Sequence, residues 1–348
     1  MPATSATFSA RLLRWFDRHG RHDLPWQRPR TAYRVWLSEI MLQQTQVATV
    51  IPYYRRFLKR FPSLRALANA ELDDVLVLWS GLGYYARARN LHQAAQIVMA
   101  EHRGRFPTEF DAVTALPGIG RSTAGAILAQ AFGQRHPILD GNARRVFARH
   151  AAIQGWPNEP SVAEKFWRVA EQRLPQTRLA DYTQALMDLG ATVCTARKPA
   201  CALCPVSSDC VARIQLRVAE LPTAKPRRER PQRKAHLLLI ENSEGAILLE
   251  RRPPAGIWGG LWCPPVLEND WRKACLTRYG VHVKKTERLP VIQHGFSHYD
   301  LDLHPLRVQT QTASCIAEAA GLAWVTLPRT LNYGLPAPVR KLFLSLSS

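Results

Sequence analysis

The chain has 348 residues, which is enough for two domains with separate hydrophobic cores. Its formal net charge of +20 favours a polyanionic partner, and nucleic acid is the partner we expect. No apolar run is long enough to span a bilayer, and the first ten residues lack the basic start and apolar core of a secretory signal. We therefore expect a cytoplasmic, DNA-associated protein with no membrane partner.

Helical spacing of apolar residues dominates the first part of the chain. It predicts a helix over residues 11–19, then a turn that carries Trp26 and Gln27. It next predicts one helix over residues 33–50 that ends at Pro52.

One face of that second helix is chemically unusual. Glu39, Gln43 and Gln46 fall together on it, with Leu42 beside them. An ordinary exposed helix would carry lysine and arginine there. The face is therefore a candidate for chemistry, although a buried ion pair would explain Glu39 taken alone.

A glycine-rich turn at residues 81–85 places Tyr84 and its neighbour close to Arg87 and Arg89. Aromatic side chains beside arginines suit a wedge that enters a base stack while the cations bind phosphates. Two core tyrosines after a glycine turn are an equally good explanation of this local sequence.

A helix–hairpin–helix motif is the next candidate. A short helix over residues 109–115, with Thr108 as its cap, leads into Leu-Pro-Gly-Ile-Gly at 116–120, and a second helix follows. Gly118 and Gly120 let the backbone approach a phosphate, and the helix start offers free N–H groups. Such a hairpin anchors a DNA strand without reading its sequence.

Asp140 stands just before another predicted helix, where its expected role is an N-cap. Capping also keeps a carboxylate ionised. A negative charge close to bound DNA is costly unless the chemistry needs it, so Asp140 is a catalytic candidate.

Four cysteines follow at the spacing C-x6-C-x2-C-x5-C: Cys194, Cys201, Cys204 and Cys210. Four thiolates bind a [4Fe–4S] cluster or one zinc ion, and the uneven loops suit a cluster better. This spacing resembles the cluster signature of the endonuclease III superfamily of DNA glycosylases. The remaining three cysteines are scattered, so they form no disulfide framework.

The composition changes after residue 220. Residues 221–234 are rich in proline, lysine and arginine, which predicts an extended linker that also helps to hold DNA. Short apolar runs around a turn at 242–245 predict a β-hairpin, and a closing helix follows near the C-terminus. We therefore predict an all-α catalytic region over residues 1–220 and an α+β domain over 235–348.

Together these motifs resemble the MutY-type family of adenine DNA glycosylases, over nearly the whole chain. The matching parts are residues 36–47, 81–90 and 116–125, the segment from Asp140 to Asn142, the four cysteines and a Nudix-like second domain. The resemblance implies a monomer that removes adenine paired with 8-oxoguanine or guanine from double-stranded DNA and leaves an abasic site. It implies one [4Fe–4S] cluster, and a monovalent cation at the hairpin is a further candidate.

The residue chemistry agrees with that activity. Breaking an N-glycosidic bond requires a protonated leaving group and a stabilised sugar cation, and two carboxyl groups with different pKa values supply both. Glu39 is the expected acid at adenine N7, and Asp140 is expected to stabilise the oxocarbenium ion or trap it covalently. The resemblance assigns the adenine pocket to Trp26, Gln27, Ser122, Asn142 and Gln184. It assigns DNA and lesion contacts to Leu42, Gln43, Gln44, Tyr84, Gly118, Gly120, Phe296, Ser297 and His298.

Two positions separate this chain from related enzymes. Strand-nicking relatives of the endonuclease III type carry a lysine where this chain has Ser122, so we expect base removal without efficient strand cleavage. Nudix hydrolases hold magnesium on glutamates, but residues 271–283 contain none, so we expect no nucleotide hydrolysis. The alternatives are a pyrimidine-lesion lyase, an iron–sulfur DNA-binding sensor and a nucleotide pyrophosphatase.

Overall fold

The computed structural model describes residues 6–226, 229–254, 256–268, 270–296, 298–310 and 321–347. The chain divides into two compact units, one of Met1–Asn69 with Asn90–Arg227 and the other of Ala70–Arg89 with Arg228–Ser348. No helix in the described part of the chain is long and apolar enough to cross a membrane. The domain limits drawn from the sequence stay a prediction.

The first unit is helical, and aromatic residues such as Phe16, Phe147 and Phe166 fill its core. The helices up to the end of the cysteine loop are α1 (Phe8–His19), α2 (Ala32–Leu42), α3 (Val47–Arg60), α4 (Leu64–Ala68), α5 (Leu72–Trp79), α6 (Ala86–Glu101), α7 (Phe110–Ala115), α8 (Arg121–Phe132), α9 (Gly141–His150), α10 (Pro160–Gln172), α11 (Leu179–Asp188) and α12 (Val211–Ile214). A π-helical turn, Leu189–Val193, joins α11 to the cysteine loop. Helix α8 packs against both α2 and α11, so it is central to the unit.

The single helix predicted over residues 33–50 is wrong, because two helices occupy this stretch. Residues 43–46 separate α2 from α3, and Gln44 has a φ angle of +57°. A left-handed residue interrupts the helical hydrogen bonds, but apolar spacing does not reveal it because the spacing resumes in α3. Pro52 lies inside α3 instead of ending a helix, and Gln46 caps α3 and so is not on α2.

The helix–hairpin–helix motif is confirmed in α7, residues 116–120 and α8. Gly118 has a φ angle of +79°, and a Cβ atom there would lie 2.9 Å from the Cβ of Asn90, so the turn requires glycine. Glu109, not Thr108, occupies the N-cap position of α7, and its side chain makes no cap hydrogen bond. The predicted helix start was therefore one residue too early.

The second unit contains a mixed β-sheet. Its strands are β1 (Gln232–Glu241), β2 (Ala246–Arg251), β3 (Trp262–Cys263), β4 (Val266–Leu267), β5 (Val283–Arg288), β6 (Ile292–Gly295), β7 (Asp300–Thr310) and β8 (Leu322–Thr326), with helices α13 (Trp271–Tyr279), α14 (Leu327–Thr330) and α15 (Ala337–Ser347). The predicted hairpin is confirmed as β1 with antiparallel β2, and β1 also pairs in parallel with β7. Alternate residues of β1 enter two cores, Leu237 beside Phe343 of α15 and Leu238 beside Tyr279 of α13.

Helix α5 and the turn after it belong to the second unit. Asp73 accepts hydrogen bonds from Arg251 (2.9 Å) and from the indole N–H of Trp262 (3.2 Å). The hydroxyl of Tyr85 donates to the carbonyl oxygen of Leu335 (2.9 Å). Apolar periodicity shows that a segment is a helix, but it does not show which of two cores the helix joins.

Candidate active site

Glu39 lies on α2 and faces α8. Its Oε1 accepts a hydrogen bond of 2.9 Å from Nε2 of Gln130. Burial raises the pKa of Glu39 to about 7; the Gln130 hydrogen bond opposes this shift, and the negative charge of Asp140 adds to it. A carboxyl group with this pKa is protonated in a large fraction of molecules at neutral pH, so it can serve as a proton donor.

Asp140 is the N-cap of α9, as predicted, and its Oδ1 accepts a hydrogen bond of 2.7 Å from the backbone N–H of Ala143. Burial raises the pKa of Asp140, whereas hydrogen bonds from Ala143 and Asn142 and the positive charge of Arg145 lower it. The net shift is upward. Burial therefore opposes the effect of the cap, and ionisation of Asp140 at neutral pH stays a prediction.

Arg145 connects the Asp140 region to the cysteine loop. Its Nη2 donates to Oδ1 of Asn142 (2.7 Å) and to the carbonyl oxygen of Gly190 (2.6 Å), and its Nε donates to the carbonyl oxygen of Cys194 (2.6 Å). A Cβ atom at Gly190 would lie only 2.5 Å from the Cβ of Asn142. The Arg145 guanidinium therefore ties the side chain of Asn142 to the backbone of Cys194, the first cysteine of the loop. Asn142 in turn hydrogen-bonds Asp140.

Ser122 lies in the first turn of α8. Its Oγ accepts a hydrogen bond of 2.9 Å from the backbone N–H of Leu139, the residue before Asp140. The hydroxyl therefore helps to position the chain that leads into Asp140.

The other residues assigned to the adenine pocket are buried. Trp26 is 2% exposed, Gln27 6% and Gln184 3%. Nε2 of Gln27 donates to the carbonyl oxygen of Arg21 (2.8 Å), and Nε2 of Gln184 donates to Oδ1 of Asp188 (2.7 Å). Both amides are therefore held by acceptors of the protein itself.

Leu42, Gln43 and Gln44 form the end of α2 and the break after it. Gln43 is half-buried and its Nε2 lies 3.4 Å from Oγ1 of Thr123, next to Ser122 on α8. Gln44 is exposed and has the left-handed backbone. The break thus projects a polar side chain outward from the helix that carries Glu39.

In the second unit, the two tyrosines of the glycine turn differ. Tyr85 is buried, whereas Tyr84 is 55% exposed and has a φ angle of +49°. The guanidinium of Arg87 lies 5.5 Å from the centre of the Tyr84 ring. Tyr85 is therefore a core residue, which was one of the two explanations of this turn. Tyr84 is exposed enough to contact a ligand.

Sequence reasoning missed four polar residues that organise this site: Gln130, Arg145, Arg21 and Asp188. Gln130 gave a signal, since it is a polar residue within a helix whose neighbours are almost all apolar. Each of the other three also has a partner in a distant segment, and a single sequence does not reveal such pairings.

The four cysteines of the loop are half-buried and line one small cavity. Burial, together with the other three thiols, raises the pKa of Cys204 to about 11, so bound metal is needed to hold the thiolates. Among the described residues no three ligand side chains converge as one metal ion requires. Four thiols around one cavity is the number of ligands that a [4Fe–4S] cluster takes.

The lesion-reading motif predicted for the second unit lies in an aromatic cluster. The Phe296 ring packs against His294 (4.6 Å between centroids) and Tyr299 (4.9 Å). His298 packs edge-on against Tyr299 (4.6 Å). Ser297 lies outside the described residues.

Helix α13, at the place of the Nudix metal-binding helix, carries no acidic residue. Glu250 on β2 is buried and accepts hydrogen bonds from Arg252 (3.2 Å), Arg278 (3.0 Å) and Tyr279 (2.7 Å). These donors already neutralise the carboxylate. The absence of nucleotide hydrolysis stays a prediction.

Comparison with known proteins accounts for both units. Residues 37–172 match the HhH-GPD superfamily of base excision DNA repair proteins, residues 194–210 the iron-sulfur binding domain of endonuclease III, and residues 236–345 the NUDIX domain. The adenine DNA glycosylase of Buchnera aphidicola (subsp. Acyrthosiphon pisum, strain APS) is 37% identical, and the match covers 97% of each chain. The human adenine DNA glycosylase is 34% identical over 98% of this chain and 74% of its own length. The chain belongs to the adenine DNA glycosylase family.

The chain is therefore a base excision repair enzyme that removes adenine from DNA, and the iron-sulfur domain matched over residues 194–210 supports a [4Fe–4S] cluster. The enzyme interpretation is confirmed over the sensor alternative. A thermostable thymine-DNA glycosylase has a similar structure, with a TM-score of 0.55, 28% identity, and coverage of 60% of this chain and 95% of its own. The predicted fold class, a helical glycosylase with a Nudix-like domain, is confirmed as well.

Proposed function

We propose that this glycosylase removes adenine paired with 8-oxoguanine, and also with guanine, by acid-assisted hydrolysis that leaves an abasic site. The observation that carries the proposal is the raised pKa of Glu39, next to a second carboxyl group at Asp140. In such a pair, one carboxyl group protonates the leaving base and the other, as an anion, stabilises the sugar cation.

In this mechanism the two carboxyl groups act in turn. Glu39 donates its proton to N7 of the extruded adenine, so that the base leaves as a neutral group. The C1′–N9 bond breaks with its electrons going to the base, positive charge develops on the sugar, and ionised Asp140 stabilises or traps that oxocarbenium ion. Water then adds to C1′, releasing any covalent link to Asp140, and its proton returns to the Glu39 carboxylate, which leaves an abasic sugar. The hydrogen bond from Gln130 orients Glu39, and Asn142 holds Asp140.

The cluster supplies structure in this proposal. It would be held by Cys194, Cys201, Cys204 and Cys210, and with four thiolates bound it would serve a structural role. Through the Arg145 hydrogen bonds, an ordered loop helps to keep Asn142 in place.

The pH dependence of the reaction tests the role of Glu39. Because the acid must be protonated, the single-turnover rate should be highest below its pKa and should fall about tenfold per pH unit as the pH rises through about 7. Protonation of Asp140 should lower the rate at acidic pH. Adenine release should be measured from about pH 5 to 9, with Glu39→Gln as the control. A rate that stays level through neutral pH in the wild type would rule out Glu39 as the acid.

Strand cleavage tests the predicted absence of lyase chemistry. The Ser122 hydroxyl cannot form the imine that a lysine forms with the sugar, so the product strand should stay intact. Borohydride added during turnover should trap very little covalent complex, measured against an endonuclease III-type lyase as the positive control. Efficient trapping would show that another amine of the chain attacks the sugar.

DNA binding in the proposal combines the hairpin with the overall charge. The start of α8, after Gly118 and Gly120, presents free N–H groups to a phosphate, where a monovalent cation remains a candidate. Leu42, Gln44 and Tyr84 are proposed to intrude at the mispair. The enzyme is proposed to act as a cytoplasmic monomer.

Recognition of the lesion strand is assigned to the second unit. We expect the double variant Ser297→Ala, His298→Ala to lose about tenfold of the preference for the 8-oxoguanine pair over the guanine pair, because hydrogen bonds to the oxidised edge are lost. The preference is the ratio of single-turnover rates on the two duplexes. Thr277→Ala, His282→Ala removes the same two groups elsewhere in this unit and should leave the ratio unchanged. An unchanged ratio in the first variant would refute the assignment.

A further inference from the structure

Asp188, at the end of α11, is a carboxylate with 1% exposure that has no part in the proposed chemistry. Its Oδ2 accepts a hydrogen bond of 2.7 Å from the backbone N–H of Arg21, and its Oδ1 accepts from Nε (2.9 Å) and Nη2 (2.6 Å) of the same residue. Oδ1 also accepts from Nε2 of Gln184 (2.7 Å). The site is therefore an ion pair between a buried carboxylate and a half-buried guanidinium, and the carboxylate also holds a neighbouring amide.

The pair fixes the orientation of two amides. A carboxylate only accepts hydrogen bonds, so Gln184 must turn its NH2 group toward Asp188. The backbone carbonyl oxygen of Arg21 accepts a hydrogen bond from the NH2 group of Gln27, so the orientation of this amide is fixed too. No hydrogen bond from a described residue reaches Oε1 of either glutamine. Each of these two buried glutamines therefore has only its side-chain carbonyl oxygen, Oε1, available to accept a hydrogen bond from a ligand.

We propose that the Arg21–Asp188 pair determines specificity for the 6-amino group of adenine, by holding Gln27 and Gln184 as hydrogen-bond acceptors. This inference rests on the proposed function and on the assignment of both glutamines to the adenine pocket that the family resemblance implies. The 6-amino group of adenine donates two hydrogen bonds, whereas a 6-keto purine places an acceptor at the same position. An acceptor that faces fixed acceptors is left unsatisfied, and a pocket built on such groups rejects the wrong base.

Asp188→Asn tests the proposal, because asparagine offers an NH2 group as well as an oxygen and so lets Gln184 turn over. Single-turnover release should be compared on duplexes that carry deoxyadenosine or deoxyinosine opposite the same base. The rate ratio of adenine to hypoxanthine should fall by roughly tenfold or more in the variant. If the rates of adenine and hypoxanthine release fall equally, so that their ratio stays at the wild-type value, Asp188 has only a structural role and the proposal is wrong.

A rescue variant makes the test more specific. Glutamate at position 184 accepts hydrogen bonds in either orientation, so Asp188→Asn, Gln184→Glu should recover the adenine preference that Asp188→Asn loses. A merely structural defect would not be repaired by adding a second buried change. Failure of the double variant to raise the ratio would overturn the proposal.

If Asp188→Asn does not fold, Arg21→Lys is measured in the same way, because lysine cannot make the paired guanidinium contacts that hold the Asp188 carboxylate, and with it the Gln184 amide, in position. Its matched control is Arg11→Lys, which weakens the Arg11–Asp209 pair (2.6 Å) elsewhere in this unit. The ratio should fall severalfold in Arg21→Lys and not in Arg11→Lys; equal ratios in the two would overturn the proposal. Wild-type protein that releases no adenine would instead contradict the proposed function.

Discussion

Glu39→Gln should lower the single-turnover rate of adenine release by about 10²–10⁴-fold, the usual contribution of a positioned general acid. Glutamine has nearly the same shape and keeps an oxygen to accept the Gln130 hydrogen bond, so the fold should not change. It has no proton to transfer to the base, however. Binding of the mispair should therefore remain while the chemical step fails.

The control for this prediction is Glu164→Gln on α10. Glu164 is also a glutamate on a helix of the first unit, but its side chain is 76% exposed and its contact with Arg168 is long, at 3.7 Å. This variant should react at the wild-type rate. A Glu39→Gln enzyme that stays within tenfold of wild type would mean that adenine leaves without a proton from Glu39.

Asp140→Asn should lower the rate by about 10²–10³-fold, the range found when one group that stabilises transition-state charge is removed. Asparagine is as good an N-cap as aspartate, so α9 should keep its start and the melting temperature should change little. What the variant loses is the negative charge beside the developing sugar cation.

Asp140→Ser separates the cap from the charge, because serine also caps a helix but is smaller and neutral. Both variants should be folded, should retain iron and should be equally slow. If Asp140→Asn releases adenine at nearly the wild-type rate, the negative charge at this position is not needed, and the residue has only its capping role.

Local patterns predicted the parts of the site that lie within one segment. The hairpin between α7 and α8, the cap at Asp140 and the cysteine spacing each depend on a few neighbouring residues, and each was found where the sequence placed it. The polar face around Glu39 was visible in part for the same reason, since helical spacing relates Glu39 to Gln43 at the end of α2, whereas Gln46 lies beyond the break.

Features that depend on contacts between distant segments were not predictable. The left-handed residue Gln44 breaks a stretch that has uninterrupted helical periodicity. The hydrogen bonds of Arg145 and of the Arg21–Asp188 pair join positions far apart in the chain. The upward pKa shift of Asp140 likewise arises from burial in the folded unit, which outweighs the local cap.

The carboxylate pair is tested most directly by one experiment: single-turnover release of adenine from a duplex with adenine opposite 8-oxoguanine, with wild type, Glu39→Gln and Asp140→Asn at equal, saturating occupancy. We expect free adenine and an intact abasic strand from the wild type, and bound but unreacted DNA from both variants. Release by either variant at a rate close to that of the wild type would contradict the proposed mechanism.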